Sequence, residues 1–199
     1  MQMIENGFAT AKQFGPSFLV LDRYFLTVPA LKRLGELNAG RECEPNLVEI
    51  ITKAKRNCRA YEEPPETGKK RGRPRKKGDT VCLGGLFRNE DLFKSAAVTM
   101  YGESTKVQYL CRDLLWGQKL YKKLRFVLVR YKGTQSILVS TDLKLDPVTI
   151  IELYASRFGI ESCFRELKQQ IGGFGYHFWK KSIAKQNLTG RRTASLPPG

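Results

Sequence analysis

Residues 17–21 are Ser-Phe-Leu-Val-Leu, a continuous apolar run after a Gly-Pro pair, which predicts a buried strand. Pro29 suits the first turn of a helix, and leucines at 31, 34 and 37 extend the helix toward residue 38. The β-branched run at 48–52 predicts a second buried strand. A strand, a helix and a strand within about 40 residues favour a parallel βαβ unit and an α/β fold class.

The middle of the chain predicts further strands. Segments 107–116, 124–131 and 136–140 are rich in apolar and β-branched residues, and 132–135 suits a hairpin loop between the last two. We interpret 80–145 as a β-rich, mostly antiparallel insertion that follows a partial core at 15–55.

The last part of the chain begins with a helix signal. Asp146 can cap a helix, and Pro147 suits its first position. Apolar residues then recur at helical spacing to 171, which predicts a helix roughly 37 Å long within the region 146–180. Residues 181–199 have little apolar content and predict a disordered tail.

Charge indicates the partner. The chain has 199 residues with 35 Lys+Arg against 19 Asp+Glu, a formal net charge of +16. This excess favours nucleic acid first and an acidic membrane surface second. Apolar runs of four or five residues are too short for a transmembrane helix, and a single His with no Cys-x-x-Cys excludes a zinc finger. The odd number of cysteines is typical of a reduced, cytoplasmic protein, here with an expected nucleoid association.

Over a third of the excess charge, +6 of the +16, lies in residues 56–78, within the predicted basic loop 56–79. Pro and Gly among the cations predict an exposed, extended chain. Its centre, Arg71-Gly72-Arg73-Pro74, resembles an AT-hook, in which Gly and Pro let the chain lie in a narrow minor groove beside flanking guanidiniums. The predicted DNA-binding residues of this loop are Lys69, Lys70, Arg71, Arg73, Arg75, Lys76 and Lys77. A solvated loop that touches phosphates without reading the groove is the alternative.

One face of the last predicted helix gathers four polar residues: Tyr154, Arg157, Glu161 and Lys168. At about 100° per residue they share an arc about 60° wide. Spacing alone is also compatible with a solvated face that carries local ion pairs.

The spacing Tyr154-x2-Arg157-x3-Glu161-x6-Lys168 resembles the signature of bacterial insertion-sequence transposases of the DDE superfamily. The longer stretch 154–179 is similar to the same family, and residues 19–25, Leu-Val-Leu-Asp-Arg-Tyr-Phe, resemble its second-aspartate motif. The likeness covers roughly residues 15–180.

The resemblance implies a partial ribonuclease H-like core in which Asp22 and Glu161 are catalytic carboxylates and metal ligands. Two Mg²⁺ or Mn²⁺ ions would support phosphoryl transfer on double-stranded DNA at transposon ends. Tyr154, Arg157 and Lys168 would contact DNA phosphates. A homodimer on DNA is a further implication of the resemblance.

The chain departs from the family at its beginning, because no Asp precedes Asp22 and the only acid upstream is Glu5. We therefore expect an N-terminally truncated transposase whose 199 residues alone have little or no catalytic activity.

Two other functions remain open. The chain could be a non-enzymatic DNA-binding protein that uses the basic loop. It could also be a complete metal-dependent nuclease that uses another acid, such as Asp113 or Asp142.

Overall fold

The structure, a computed structural model, describes residues 2–39, 46–65, 75–100 and 102–157. Two complete helices lie near the N-terminus, and residues 147–157 are the described part of a third, α3. The helices and strands are α1 (Gln2–Phe14), β1 (Ser17–Val20), α2 (Val28–Asn38), β2 (Val48–Ala54), β3 (Arg59–Tyr61), β4 (Thr80–Cys82), β5 (Lys94–Met100), β6 (Glu103–Trp116), β7 (Lys122–Tyr131) and β8 (Thr134–Ser140).

The described strands form one mixed sheet. Its order is β1-β2-β8-β7-β6-β3-β4, with β5 also paired to β6. Only β1 and β2 are parallel, and every other described pairing is antiparallel. The predicted parallel βαβ unit, the hairpin of β7 and β8 and the mostly antiparallel character of the later strands are thereby confirmed.

The strands of the predicted insertion continue the sheet of the βαβ unit. β8 is antiparallel to β2, with Ile51 opposite Ser140 and Ala54 opposite Ile137. The regions 15–55 and 80–145 therefore share one set of backbone ladders. The fold class that the structure supports is mixed α/β with a mostly antiparallel sheet.

Alternation along the strands gives the sheet two apolar faces. One face carries Ile50, Phe126 and Val139 and is covered by α1, α2 and the short 3-10 segment Leu83–Arg88. The opposite face carries Ile51, Val127 and Leu138 and packs against Ile150 and Ile151 of α3. The sheet thus lies between two helical layers.

Capping residues begin the helices where the sequence predicts. The Thr27 side chain accepts a hydrogen bond from the Ala30 amide, with Pro29 in the first turn of α2. The Asp146 carboxylate accepts from the amides of Val148 and Thr149 at 2.8 and 3.3 Å. α3 therefore begins at the predicted Asp-Pro signal, whereas the predicted continuation to 171 and the tail 181–199 lie outside the described residues.

Within the described residues, no helix combines the length and the hydropathy needed to cross a membrane.

Candidate functional site

Asp22 lies directly after β1, where the parallel ladder ends. The Leu21 amide makes the last bond across to the Ile51 carbonyl at 2.8 Å. The chain then turns through a 3-10 segment, Arg23–Phe25, whose first amide donates to Asp22 Oδ1 at 2.6 Å. Thr52 Oγ1 donates to the Asp22 carbonyl oxygen at 2.8 Å. The backbone of Asp22 is therefore fixed by both strands where the parallel pair ends.

Next to Thr52, Lys53 points to the α3 face of the sheet and lines a hollow of about 450 Å³. Tyr154 and Arg157 of α3 line the same hollow, above an apolar floor that includes Leu138 and Ile151. Tyr154 and Arg157 are both half-buried. The structure therefore brings two predicted DNA-contacting residues to a hollow that Lys53 also lines. Lys53 follows Thr52, whose hydroxyl donates to the Asp22 carbonyl oxygen.

Tyr131 of β7 supplies a phenol to this hollow. Hydrogen bonds from the Lys132 ammonium and from Thr105 lower the pKa of the Tyr131 hydroxyl. The same phenol raises the pKa of Lys132. The hollow thus combines cations and phenols, groups that donate hydrogen bonds to anionic oxygens.

A second, smaller cleft of about 210 Å³ shares Lys53 with the hollow. Four cations line it: Arg23, Lys53, Lys55 and Arg56. We call these four residues the carboxyl edge. None of the four is among the site residues predicted from the sequence, although the run Lys53-Ala54-Lys55-Arg56 at the end of a predicted strand is a usable signal.

Two paired strands, β3 and β4, flank the predicted cation-rich segment. These strands pair antiparallel. Two hydrogen bonds extend this ladder: the Glu62 amide donates to the Asp79 carbonyl oxygen at 2.9 Å, and the Gly78 amide donates to the Glu62 carbonyl oxygen at 2.8 Å. We call residues 59–82 the basic hairpin. Lys69, Lys70, Arg71 and Arg73 lie outside the described residues.

Three of the predicted DNA-binding residues of the loop lie among the described residues, and they differ in their surroundings. Arg75 and Lys76 are exposed. Lys77 is half-buried, with Nζ 3.8 Å from the ring centre of Tyr61 and 5.7 Å from that of Tyr121. The two rings meet edge to face at 5.7 Å. Lys77 therefore packs into the base of the basic hairpin, whereas its two neighbours are presented to solvent.

The remaining members of the predicted site, Glu161 and Lys168, lie outside the described residues. Among the described residues, no group of three or more His, Cys, Asp or Glu side chains could hold a metal ion. Asp22 is the one proposed metal ligand whose surroundings the structure describes.

The two alternative acids have other partners. Both Asp113 carboxylate oxygens accept from Arg125, each at 2.8 Å. Asp113 lies on β6, four strand positions from β1 and so about 19 Å away across the sheet. Asp142 Oδ1 accepts from the Lys144 amide at 2.7 Å, just after β8. This geometry does not favour Asp113 as a partner of Asp22.

The only acid upstream of Asp22 also has a structural partner. Glu5 lies on α1, and its Oε1 is 2.9 Å from Nε of Arg33 on α2. The pair links the two helices of one layer.

Comparisons with known protein families, with curated proteins and with solved structures found no match to this chain.

Proposed function

We propose that this chain belongs to the DDE-type insertion-sequence transposases and acts in metal-dependent phosphoryl transfer on double-stranded DNA. The observation that carries the proposal is the spacing Tyr154-x2-Arg157-x3-Glu161-x6-Lys168, together with Asp22 at the end of a buried strand. A ribonuclease H-like core is part of the proposal.

The described residues support it in two ways. Asp22 follows the first strand of a parallel pair, and the carboxyl ends of such strands commonly form binding sites. Tyr154 and Arg157 share a hollow with Lys53, whose neighbour Thr52 holds the Asp22 backbone. Glu161 follows Arg157 by four residues in the sequence, about one helical turn if α3 continues.

The donor chemistry suits a divalent cation. Carboxylate oxygen is the ligand that Mg²⁺ and Mn²⁺ prefer, and Asp22 and Glu161 would be the ligands from this chain. When bound, such ions polarise a phosphodiester and activate the attacking oxygen. Arg157 and Lys168 would hold the phosphate by charge, and the Tyr154 hydroxyl would donate to a phosphate oxygen.

The first test reads the metal site without relying on turnover. Fe²⁺ bound in place of Mg²⁺ cuts nearby backbone in the presence of ascorbate and peroxide, and the fragments locate the site. We expect cuts near residues 22 and 161 that excess Mg²⁺ suppresses and that Asp22→Asn and Glu161→Gln each abolish. Asp142→Asn is the matched control and should leave the pattern unchanged.

Two outcomes would overturn the metal assignment. One is a cleavage pattern that Asp22→Asn and Glu161→Gln leave intact. The other is loss of the pattern in Asp142→Asn alone, which would favour the nuclease alternative. Since this chain offers only two of the expected carboxylates, we expect nicking of transposon-end DNA to be at or near background with Mg²⁺.

A second candidate function is DNA binding without catalysis, and the basic hairpin favours it. The hairpin ladder brings residues 62 and 78 together, and the cation-rich segment lies between these two residues in the sequence. Arg71→Ala combined with Arg73→Ala should weaken binding to A·T-rich duplexes more than to G·C-rich duplexes. An equal loss on both duplexes would leave only a phosphate-binding loop.

A further inference from the structure

The 3-10 turn after Asp22 exposes an aromatic ring. Tyr24 is 70 % exposed, although it lies between the buried Leu21 and the first turn of α2. The guanidinium carbon of Arg23 lies 5.4 Å from the centre of the Tyr24 ring. The turn is fixed by bonds from the Phe25 amide to Asp22 O and from the Leu26 amide to Arg23 O. The ring is therefore presented to solvent from a defined backbone.

The cations of the carboxyl edge adjoin this ring through Arg23. Among the described residues, no acidic side chain lines their cleft and none of the four cations forms an ion pair with a carboxylate. Arg23, Lys55 and Arg56 are exposed, and Lys53 is half-buried. Such a cluster attracts a polyanion, because none of its positive charges is in an ion pair with a described carboxylate.

The turn that carries Lys55 and Arg56 is held rigidly. The Cys58 amide donates to the Lys55 carbonyl at 2.9 Å, and the Leu83 amide donates to the Cys58 carbonyl at 3.2 Å. Gly84 packs against this turn so closely that a Cβ would lie 2.4 Å from the Arg56 carbonyl oxygen. The two cations are thus held on a fixed backbone beside β2.

We propose that Tyr24 and the carboxyl edge form a binding site for single-stranded DNA. Cations that follow the phosphates and an exposed aromatic ring on which a base stacks are the two components of such sites. A duplex hides its base faces, so only an unpaired strand can use the Tyr24 ring. The proposal goes beyond the function proposed above, because it needs neither a metal ion nor Glu161.

The test measures fluorescence anisotropy of a labelled dT20 strand and of a 20-base-pair duplex, with the full chain and EDTA present. Tyr24→Ala should weaken dT20 binding about tenfold and duplex binding far less. Tyr24→Phe, which keeps the ring, should bind dT20 as the wild type does. Phe14→Ala removes another exposed ring, 81 % accessible, and should change neither affinity.

The cations are tested by salt dependence. Lys55→Ala combined with Arg56→Ala should reduce the slope of log K against log salt on dT20 by about 1.4. The matched double variant Lys32→Ala and Lys144→Ala removes two exposed charges elsewhere and should leave the slope unchanged.

A third measurement locates the contact. Strands containing 5-iododeoxyuridine crosslink to adjacent aromatic residues under light, and the peptide with Tyr24 should carry the adduct. Unchanged dT20 affinity in Tyr24→Ala, or adducts confined to the basic hairpin, would overturn the proposal. Because EDTA is present throughout, these results are independent of the iron-cleavage test of the metal site.

Discussion

The cations at the base of the basic hairpin and the four cations of the carboxyl edge differ in the groups that they contact. At the base of the hairpin, Lys123 lies 2.8 Å from Glu63, Arg112 lies 3.8 Å from Glu62, and Lys77 packs on Tyr61. At the carboxyl edge, no cation has a carboxylate partner among the described residues. Cations near the hairpin base therefore hold the hairpin in place, whereas cations without an ion-pair partner are the better candidates for binding a ligand.

The anchoring of the hairpin depends on more than ion pairs. Exposed pairs each contribute only about 0.2–1 kcal/mol. The backbone hydrogen bonds of Glu62 with Gly78 and Asp79 act on the same segment, as does the contact of the Lys77 ammonium with the Tyr61 ring. The hairpin base is thus held by several modest contacts.

The largest effect that separates the two regions should come from Gly84→Ala. An added Cβ would lie 2.4 Å from the backbone oxygen of Arg56, so the turn or the 3-10 segment must move. We expect a destabilisation of about 1–3 kcal/mol, which lowers the Tm by roughly 3–10 °C, together with weaker dT20 binding. Differential scanning calorimetry and anisotropy on the same samples measure both.

Two glycine variants serve as controls for Gly84→Ala. Gly78→Ala places a Cβ 2.4 Å from the Glu63 oxygen and should destabilise the hairpin base while sparing dT20 binding. Gly35→Ala on α2 meets no atom within 4 Å and should raise stability by up to about 1 kcal/mol. Equal loss of dT20 binding in Gly78→Ala and Gly84→Ala would contradict the division between the regions.

Replacement of Arg125 by Met should have the next largest effect. Its guanidinium makes two bonds to Asp113 and a third to the Leu145 carbonyl at 2.9 Å, in partly buried surroundings. Loss of these charge-assisted bonds should cost about 2 kcal/mol in the free energy of unfolding, measured by urea denaturation. DNA affinity should fall no more than in the Lys32→Ala single variant, because the Arg125 charge is already neutralised. A large loss of affinity would show that Arg125 contacts DNA.

Lys77→Met should have a smaller effect on global stability and a local effect on the hairpin. The methionine keeps the packing on Tyr61 and Tyr121 but removes the cation–π attraction, worth roughly 1 kcal/mol for a half-buried lysine. We expect faster limited proteolysis between residues 62 and 78, with little change in Tm. Lys76→Met is the matched control, since Lys76 is exposed, and should leave the cleavage rate unchanged.

Much of the fold could be predicted because local patterns and tertiary contacts agree. The parallel pair follows from the apolar run 17–21, the leucine spacing of α2 and the β-branched run at 48–52. The start of α3 follows from Asp146-Pro147. The placement of β8 beside β2 could not be predicted, because antiparallel pairing between distant strands leaves no local signal.

The candidate site likewise has residues that the sequence predicts and residues that only the fold brings together. Asp22 was predicted at the end of β1, and Tyr154 and Arg157 were predicted on α3, because strand ends and helical spacing are visible in a sequence. Lys77 is a predicted DNA-binding residue, but it is half-buried on Tyr61. That position depends on contacts between β3 and the turn before β7, which carries Tyr121. The carboxyl edge needs the proximity of Arg23 to β2, which only the fold supplies.

The smallest predicted effect concerns Lys122 and Lys123, adjacent residues of β7 whose pKa values shift in opposite directions. Burial lowers the pKa of Lys122, and Glu49 only partly offsets this. The hydrogen bond to Glu63 raises the pKa of Lys123. Lys122 thus opposes folding while charged, and stability should rise as the pH rises from its lowered pKa to its ordinary value near 10.5. Lys123 favours folding while charged, and its contribution should disappear as the pH rises through its raised pKa.

Single Lys→Met variants at these two positions separate the effects. At pH 7, Lys122→Met should raise the Tm by about 1–3 °C, and the difference should shrink as the pH rises toward 10.5 and the folded wild type loses the Lys122 proton. Lys123→Met should lower the Tm slightly at pH 7 and match the wild type at high pH. A lower Tm for Lys122→Met at pH 7 would show that attraction to Glu49 outweighs burial. The charge of Lys122 would then stabilise the folded state, as the charges at the hairpin base do.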